Sequence, residues 1–482
     1  PMKRREFLTT TVGIATAIAL PAVPQIAAKP RGRKLAIVGA GLAGLVAGYE
    51  LKRRGFAVTI FEARDRPGGR VLTLREPFTG EQHAEAGAMF IPSSHDLVLK
   101  YAREFKLTLN PMPARALSPT LYLHGRKIAP QRPRGYDWPV ELSPRERKLT
   151  LDEMAELYLG PPLDEIGDPR APGWPRRALA KYDRVSFAQM LRDRGASPGA
   201  IELLRMNDAD LIGDGVGSVS ALMVLRENKF YETARQTFSL AGGSDRLPYA
   251  FAAQLKKELN YGCPAVKIDR TDRSVRLSVL RQGVAETTAF DQVICAVPLT
   301  VMDRIEFSPA LPAALHDAQT ATGYTSVTRV YLQTNGRPWD DTRFGISAYT
   351  DLPSMTLVNS TFDQPGANGI LHSYMTGANA RASAKLDEPG RAEAALGDTE
   401  KLFPGMRKSY ARSASIAWDD EEWTRGAFAW FRPGQMFELR PRLAQPVDRL
   451  VFAGEHMSKY PGWMQGALES GLRAATEVAR RR

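Results

Sequence analysis

The chain has 482 residues, of which 43% are hydrophobic and 24% charged, with two cysteines and six histidines. This composition is typical of a soluble globular protein and excludes intrinsic disorder, collagen-like repeats and a disulfide scaffold, while the length predicts two or three subdomains. The formal net charge of +12 includes seven basic residues and one acid within residues 1–34, and the rest is too diffuse for a nucleic-acid-binding surface. Because the His and Cys residues lack metal-ligand spacing, we expect no metal site.

The first 30 residues have the composition of an export signal. Arg4 and Arg5 precede Phe-Leu, an apolar run from Thr9 to Leu20, and then small residues. The run is too short for a stable membrane span, and the paired arginines are typical of twin-arginine signals, which export folded proteins. We therefore predict that residues 1–30 are a leader and that the protein is periplasmic or secreted; an amphipathic helix is the alternative.

The first βαβ unit follows the leader and carries a glycine motif. An apolar strand (34–38) leads into a helix, and a second strand ends at Glu62. Gly39 permits a tight turn, Gly41 lets backbone N–H groups approach a pyrophosphate, and Gly44 allows close packing of helix on strand. The carboxylate of Glu62 can accept hydrogen bonds from the ribose hydroxyls of adenosine. The combination predicts a dinucleotide site rather than a glycine-rich turn without a ligand.

A second glycine turn favours FAD over NAD. Glu62 continues into Ala-Arg-Asp-Arg-Pro-Gly-Gly-Arg, which places Gly69 and Arg70 shortly after the acid. A carboxylate at position 62 also argues against a cofactor with a 2′-phosphate.

The rest of the chain predicts an α/β protein in which the nucleotide domain is interrupted. Residues 140–235 are predicted to be helical, with Pro- and Gly-rich connections at 160–162 and 169–175. Strand-like segments follow at 264–298, 327–333, 371–375 and 449–455. We assign the Rossmann-type FAD-binding domain to 33–92, 236–303 and 444–482, a mixed-sheet substrate domain to 93–125 and 304–443, and a helical insert to 126–235.

Two C-terminal motifs complete a pattern shared with one enzyme family. Residues 451–455 are Val-Phe-Ala-Gly-Glu, and residues 462–471 are Gly-Trp-Met-Gln-Gly-Ala-Leu-Glu-Ser-Gly. Together with the two glycine turns, they resemble the flavin-containing amine oxidases, the group of monoamine, polyamine and L-amino-acid oxidases, from about residue 33 to the C-terminus. The chain is most similar to the bacterial L-amino-acid oxidases, and the resemblance implies a glutathione-reductase-like FAD domain.

The resemblance implies a set of cofactor contacts. Arg70 would contact the FAD phosphates or the flavin, Glu455 the ribitol or pyrophosphate, and Val266 the adenine through its backbone. Met464 would lie beside the flavin ring. On its own, Val266 is equally well explained as a core residue of a strand. Ala427 occupies the position at which covalently flavinylated relatives carry a cysteine, so we expect FAD to be bound non-covalently.

The flavin face is expected to orient an amine rather than to supply acid–base groups. Amine oxidation by flavin requires a neutral, oriented amine and exclusion of water. Family members place two aromatic side chains before the flavin, and Trp463 and Phe428 match them, although either could be core filler. Arg329 stands where many relatives carry a lysine that contacts flavin N5 through water. Because arginine does not act as a base near neutral pH, Arg329 could orient water, attract a carboxylate, or pair with an acid.

Two stretches favour an amino acid as substrate. Residues 87–92 and 350–354 resemble segments of L-amino-acid oxidases, but Phe90 occupies the position of the arginine that binds the substrate carboxylate in those enzymes. An unpaired carboxylate in an apolar cavity would be costly.

Three explanations for Phe90 remain open. Arg226 or Arg329 could hold the carboxylate; backbone groups such as those of Gly462 could hold it together with Trp463; or the substrate could have no carboxylate.

We predict oxidative deamination of L-amino acids, with Phe90 widening a pocket for large neutral or aromatic side chains. The products would be a 2-oxo acid, ammonia and hydrogen peroxide, with O2 as electron acceptor. The alternatives are a monoamine or polyamine oxidase, a flavin desaturase, an amine dehydrogenase that reduces a protein acceptor, and a non-catalytic relative. We also expect a homo-oligomer, because family members often dimerise.

Overall fold

The computed structural model describes residues 32–112, 120–128, 136–206, 211–340 and 345–481. The predicted leader, residues 1–30, lies outside the described residues. The strands are β1 (Lys34–Val38), β2 (Ala57–Phe61), β3 (Thr73–Leu74), β4 (Ala84–Glu85), β5 (Ile91–Pro92), β6 (Leu109–Pro111), β7 (Thr120–Leu123), β8 (Arg126–Ile128), β9 (Thr237–Leu240), β10 (Leu259–Asn260), β11 (Ala265–Arg270), β12 (Val275–Arg281), β13 (Val284–Phe290), β14 (Gln292–Cys295), β15 (Glu306–Ser308), β16 (Gly323–Thr325), β17 (Val327–Thr334), β18 (Ser347–Thr350), β19 (Thr356–Asn359), β20 (Gly369–Thr376), β21 (Tyr410–Ala417), β22 (Phe428–Trp430) and β23 (Leu450–Phe452). The helices are α1 (Leu42–Arg53), α2 (Asp96–Glu104), α3 (Leu151–Ile166), α4 (Ala180–Asp183), α5 (Phe187–Asp193), α6 (Pro198–Met206), α7 (Ala221–Thr233), α8 (Arg246–Gln254), α9 (Ala313–Ala321), α10 (Gly377–Ala384), α11 (Glu388–Leu402), α12 (Met406–Ser409), α13 (Gln435–Glu438), α14 (Arg440–Leu443) and α15 (Met464–Arg480).

A five-stranded parallel sheet forms the nucleotide-binding part of the molecule. Its strand order is β10-β2-β1-β14-β23, so distant parts of the chain meet in one sheet. The last four residues of β1 are all buried, as expected of a parallel strand covered on both faces. Helices α1 and α15 pack closely. A Cβ at Gly471 of α15 would lie only 2.3 Å from the carbonyl oxygen of Ala43 in α1, so this approach requires glycine.

A seven-stranded mixed sheet forms the second part, in the order β21-β17-β20-β19-β18-β7-β8. Side chains alternate between its faces, as the pleat requires. Val330 and Leu332 of β17 pack in a core cluster with residues of α10 and α11, whereas Arg329 faces the interior cavity described below. Together with the five-stranded sheet, this sheet confirms the predicted α/β fold with a second mixed-sheet domain.

Helices α3 to α7 lie within residues 126–235, the range assigned to a helical insert, whereas β8 at the start of that range belongs to the seven-stranded sheet. α7 is buried along most of its length and packs against α3, α4 and α5. Thr150 and Glu153 form a capping box that starts α3. The predicted break at residues 160–162 was wrong, because α3 continues through Pro161 and Pro162 to a fully buried Ile166. Gly160 has no Cβ to clash with the ring of Pro161, which relieves one of the steric conflicts that a proline introduces into a helix.

Within the described ranges, no helix is both long enough and apolar enough to cross a membrane.

Candidate active site

One large cavity connects the two sheets. Its volume is about 750 Å³. Its lining includes, from the nucleotide end onwards, Gly39, Gly41, Glu62, Gly69, Arg70, Glu455, Met464, Gly462, Phe428, Trp463, Arg329 and Phe90. The fold therefore brings most of the predicted site residues to one continuous space.

The glycine motif shapes the nucleotide end. Gly39 has a φ of 100°, and a Cβ at Gly44 would lie 2.0 Å from the carbonyl oxygen of Gly39, so both positions require glycine. A Cβ at Gly41 would meet no protein atom within 4 Å and would project into the open cavity. Gly41 precedes α1 and supplies no side-chain cap, so the first backbone N–H groups of the helix stay available to a phosphate.

Glu62 lies beside this turn with its carboxylate held in place. It is 5% exposed. Its Oε2 accepts a hydrogen bond from the Ala40 N–H at 2.6 Å, and its Oε1 accepts one from the Arg64 N–H at 2.9 Å. Because each carboxylate oxygen can accept further bonds, Glu62 fits a ribose. Val266 lies in β11 but does not line the cavity, although its neighbour Ala265 does, so the adenine contact of its backbone stays a prediction.

An ion pair between the partly exposed Arg70 and the buried Glu455 lines the cavity. The Nη1 of Arg70 donates to Glu455 Oε1 at 2.7 Å and to the carbonyl oxygen of Ala427 at 2.8 Å. Burial favours a higher pKa for Glu455, but Arg70, His456 and the Gly462 N–H together outweigh burial and lower the pKa below its ordinary value. Glu455 also accepts from the backbone N–H of Gly462 at 2.8 Å and of Ala429 at 3.4 Å. Its carboxylate therefore joins the two segments that carry Phe428 and Trp463, which the sequence did not reveal.

The two predicted aromatic side chains line the cavity from different elements. Phe428 begins β22, and Trp463 directly precedes α15. Gly462 lies between them, and a Cβ there would be 3.3 Å from the Phe428 ring. The indole N–H of Trp463 donates to Glu227 Oε1 at 2.5 Å. Edge-to-face contacts with His95 and Tyr231, at centroid distances of 4.8 Å and 5.7 Å, complete the surroundings of the indole.

Arg329 is held at the cavity wall by main-chain groups. Its Nη1 donates to the carbonyl oxygens of Glu85 at 2.7 Å and Gly87 at 2.8 Å, and its guanidinium lies 4.4 Å from the centre of the Tyr374 ring. Burial favours a lower pKa, but Tyr331 and Tyr374 outweigh it and raise the pKa of Arg329. The Nη1 of Arg329 therefore bonds to carbonyl groups rather than to an acid, tyrosine hydroxyls lie beside the guanidinium, and Arg329 stays positively charged.

Arg226 lies outside the cavity lining. The side chain is fully buried on α7, and its Nη2 is 3.6 Å from Glu227 Oε2. Burial lowers the pKa of Arg226 to about 10, although Glu227 opposes the shift. In this arrangement Glu227, not Arg226, faces the cavity.

Sequence reasoning missed several residues of the wall. Met223, Glu227 and Tyr231 recur every four residues along α7 and all line the cavity, so helical periodicity was the available signal. Tyr374 gave no local signal, because β20 places it beside Arg329 of β17 only through strand pairing.

The arrangement fits FAD. Open space over Gly41, an uncapped helix N-terminus and a carboxylate at Glu62 suit the adenosine and phosphates. Ala427 lines the cavity without a thiol, which agrees with non-covalent binding. Among the residues that the structure describes, no three His, Cys, Asp or Glu side chains form a group able to hold a metal ion.

Comparison with known proteins gives consistent matches along the chain. Residues 42–479 match the family model described as flavin-containing amine oxidoreductase. The Bacillus subtilis (strain 168) protein YobN, provisionally named an L-amino-acid oxidase, is 32% identical over 468 residues, covering 94% of this chain and 96% of its own. The L-amino acid oxidase of Bothrops pictus is 28% identical over 461 residues, covering 93% of this chain and 90% of its own.

Two of the solved structures with the same fold are oxidases that are named after simple amines. Cyclohexylamine oxidase from Brevibacterium oxydans has a TM-score of 0.77 at 21% identity, covering 93% of this chain and 98% of its own. Wild-type putrescine oxidase bound to putrescine has a TM-score of 0.77 at 22% identity, covering 93% of this chain and 99% of its own.

Proposed function

The chain belongs to the flavin-containing amine oxidoreductase family, with FAD as its cofactor, and on that premise we propose that it oxidatively deaminates L-amino acids with large neutral or aromatic side chains. The overall reaction would convert an L-amino acid, O2 and water into a 2-oxo acid, ammonia and hydrogen peroxide. FAD, when bound, would supply the hydride acceptor for the substrate Cα–H and the route by which the electrons reach O2.

The position of Arg329 carries the proposal. Its Nη1 is bonded to the carbonyl of Gly87, three residues before Phe90, so a permanent cation lies next to the stretch in which L-amino-acid oxidases carry their carboxylate-binding arginine. Stacking on Tyr374 keeps the guanidinium at the wall. A carboxylate that enters an apolar cavity requires such a partner, which supports an amino acid as substrate despite Phe90.

The neighbouring wall supports a large neutral side chain. Met112, Ile346 and Val358 form a small buried cluster, and Phe90 packs against it. All four side chains line the cavity. Burying an aromatic or branched side chain on this surface would contribute roughly 25 cal/mol for each Å² removed from water.

Trp463 and Phe428 would orient the amine between their faces. Their apolar surfaces would exclude water and favour the neutral amine over the ammonium ion, so that the chain need not supply a general base. Iminium hydrolysis then requires only water.

The test is peroxide release from matched pairs, phenylalanine against phenethylamine and lysine against cadaverine, with the FAD-loaded enzyme. We expect activity on the amino acids, with phenylalanine preferred over lysine, because only the amino acids present a carboxylate to Arg329. Arg329→Met should raise KM for phenylalanine roughly ten- to hundredfold, the effect of losing a charge-assisted hydrogen bond. Arg412→Met is the matched control, since Arg412 also donates to a main-chain carbonyl but does not line the cavity.

Activity on the amines alone would contradict the proposal. It would support the second candidate, an amine oxidase, which Phe90 and the fold of the putrescine and cyclohexylamine oxidases favour. Reduction of the flavin without peroxide would identify a dehydrogenase instead.

A further inference from the structure

Arg226 is a buried cation that has no role in the proposed reaction, because it does not line the cavity. Its side chain is fully buried, and none of its guanidinium nitrogens makes a hydrogen bond with the described residues. Glu227 Oε2, at 3.6 Å, is its ion-pair partner. A buried arginine with one ionic partner and no hydrogen bond is unfavourable for folding, so its presence on α7 calls for an explanation near Glu227.

Glu227 contacts the aromatic wall of the site. It lies on α7, lines the cavity, and accepts the indole N–H of Trp463 at 2.5 Å. This bond joins residues 236 positions apart. The contacts of the indole with His95 and Tyr231 are edge-to-face and less directional, so the Glu227 carboxylate is the group that specifies the rotation of the indole.

A carboxylate in this position has an electrostatic consequence. Beside an amine it favours the ammonium ion, whereas hydride transfer requires the neutral amine. A guanidinium directly behind the carboxylate offsets that effect, because the pair has no net charge. Arg226 is placed to do this without entering the cavity.

We propose that Glu227 is a positioning residue that fixes the indole of Trp463, and that Arg226 is its charge partner and keeps this wall neutral toward the substrate amine. The inference depends on the amine oxidoreductase activity of the family but not on a substrate carboxylate, since simple amines and amino acids share the group concerned.

Other titratable groups face this unit but do not replace Arg226. Glu455 is paired with Arg70, and burial lowers the pKa of His95 to about 3, so its ring is neutral. Arg440 is a second cation, close enough to lower the pKa of Arg226, and its guanidinium donates to the main-chain carbonyls of Ser458 and Trp174 rather than to Glu227. The remaining groups that line the cavity from the insert are Tyr231, Asp152 and Glu232.

The charge function is tested by the pH dependence of kcat, which reports ionisations in the enzyme–substrate complex, using the substrate that the peroxide assay identifies. Arg226→Met removes the guanidinium that lies 3.6 Å from Glu227 Oε2, so the acid limb, which reports deprotonation of the bound amine, should move up by roughly one pH unit. Arg226→Lys should retain the wild-type limb, and the double variant Arg226→Met with Glu227→Gln should restore it. An equal loss of rate at every pH with an unmoved limb would overturn the inference.

The positioning function is tested in a background without the pair's charges. Two double variants are compared, both with Arg226→Met. With Glu227→Gln the side chain keeps an oxygen that can accept the indole N–H, whereas with Glu227→Leu it has no acceptor. We expect kcat to be roughly tenfold lower in the second double variant, and the difference to vanish when Trp463→Phe removes the donor. A difference that persists with Trp463→Phe, or equal kcat in the two double variants, would overturn this function.

Controls separate the inference from a loss of folding and from the substrate proposal. FAD content and thermal midpoint are measured for every variant, and rates are expressed per bound FAD. Glu393→Gln makes the same chemical change in an exposed ion pair with Arg407 and should leave the pH profile unchanged. A failure of the amino-acid proposal would appear in the matched substrate pairs, whereas a failure of this inference would appear only in the pH limb and in the Trp463 dependence.

Discussion

At the scale of single residues, the sequence predicted the positions of the motif glycines in the site but not which arginine faces the cavity. Gly39, Gly41 and Gly44 shape the nucleotide end as expected, because their effect depends on backbone geometry within one turn. Arg226 and Arg329 were equivalent carboxylate partners in the sequence. Only the packing of α7 and β17 separates them, since Arg329 lines the cavity and Arg226 does not.

Gly44 provides a direct test of the motif. Gly44→Ala would place a methyl carbon 2.0 Å from the carbonyl oxygen of Gly39, which is far inside van der Waals contact. Relieving this clash would require the backbone of the glycine turn to shift. We expect loss of bound FAD, measured as the ratio of flavin to protein absorbance. Gly397→Ala is the matched control in α11, where the nearest atom is an Arg407 side-chain nitrogen at 3.6 Å; it should keep FAD and gain about 0.5–1 kcal/mol of stability. Full FAD loading of Gly44→Ala would refute the assigned packing role.

At the scale of elements, the β3–β4 hairpin links the cavity wall to a buried carboxyl group. The Glu85 side chain accepts hydrogen bonds from Thr73 Oγ1 at 2.8 Å and from the Ser244 N–H at 2.7 Å. Its main-chain carbonyl oxygen accepts hydrogen bonds from Arg329 and Tyr331. Burial raises the pKa of Glu85 to about 8. This short hairpin therefore supports the Arg329 side chain through its backbone.

The raised pKa predicts a pH-dependent stability. Between the ordinary pKa of 4.5 and about 8, the folded state binds more protons at Glu85 than the unfolded state does, so this group destabilises the fold as pH rises through that window. Glu85→Gln should remove that slope. The thermal midpoint of the variant relative to the wild type should therefore increase from pH 5 to pH 8.5, measured by circular dichroism. A constant difference across this range would contradict the raised pKa.

Helix α3 shows where local rules fail at the same scale. Two consecutive prolines indicated a connection, yet the helix continues through them, because a capping box starts it and burial of its last residue, Ile166, favours its continuation. Tertiary packing here outweighs a local preference that a sequence pattern cannot weigh.

At the scale of the whole molecule, the cavity is formed by both sheets and by the helical insert. The five-stranded sheet contributes the nucleotide end, the seven-stranded sheet contributes Arg329 and Tyr374, and α7 contributes Glu227. A ligand that fills such a space contacts segments from most of the chain and should stabilise them together.

Removal of FAD should therefore lower the thermal midpoint of the whole chain in one transition. Adding FAD back at 100 times its Kd should restore about 2.7 kcal/mol, and the gain should increase with the logarithm of free FAD. Riboflavin, which lacks the adenosine and phosphate groups that the Glu62 end fits, should restore less. Differential scanning calorimetry of the stripped and reloaded protein measures this, and a midpoint independent of FAD would argue against the cofactor site.

Residue order alone was sufficient for the nucleotide end, because a strand, a glycine turn and a helix follow one another within about 30 residues and their hydrophobic periods are local. It also indicated Trp463 through a C-terminal motif, and Phe428 through the resemblance to the family. The contacts of Trp463 with Glu227, of Arg329 with Gly87, and of Glu455 with two segments of the wall join residues far apart in the chain. They depend on how the sheets and α7 pack, and a single sequence contains no local signal for that packing.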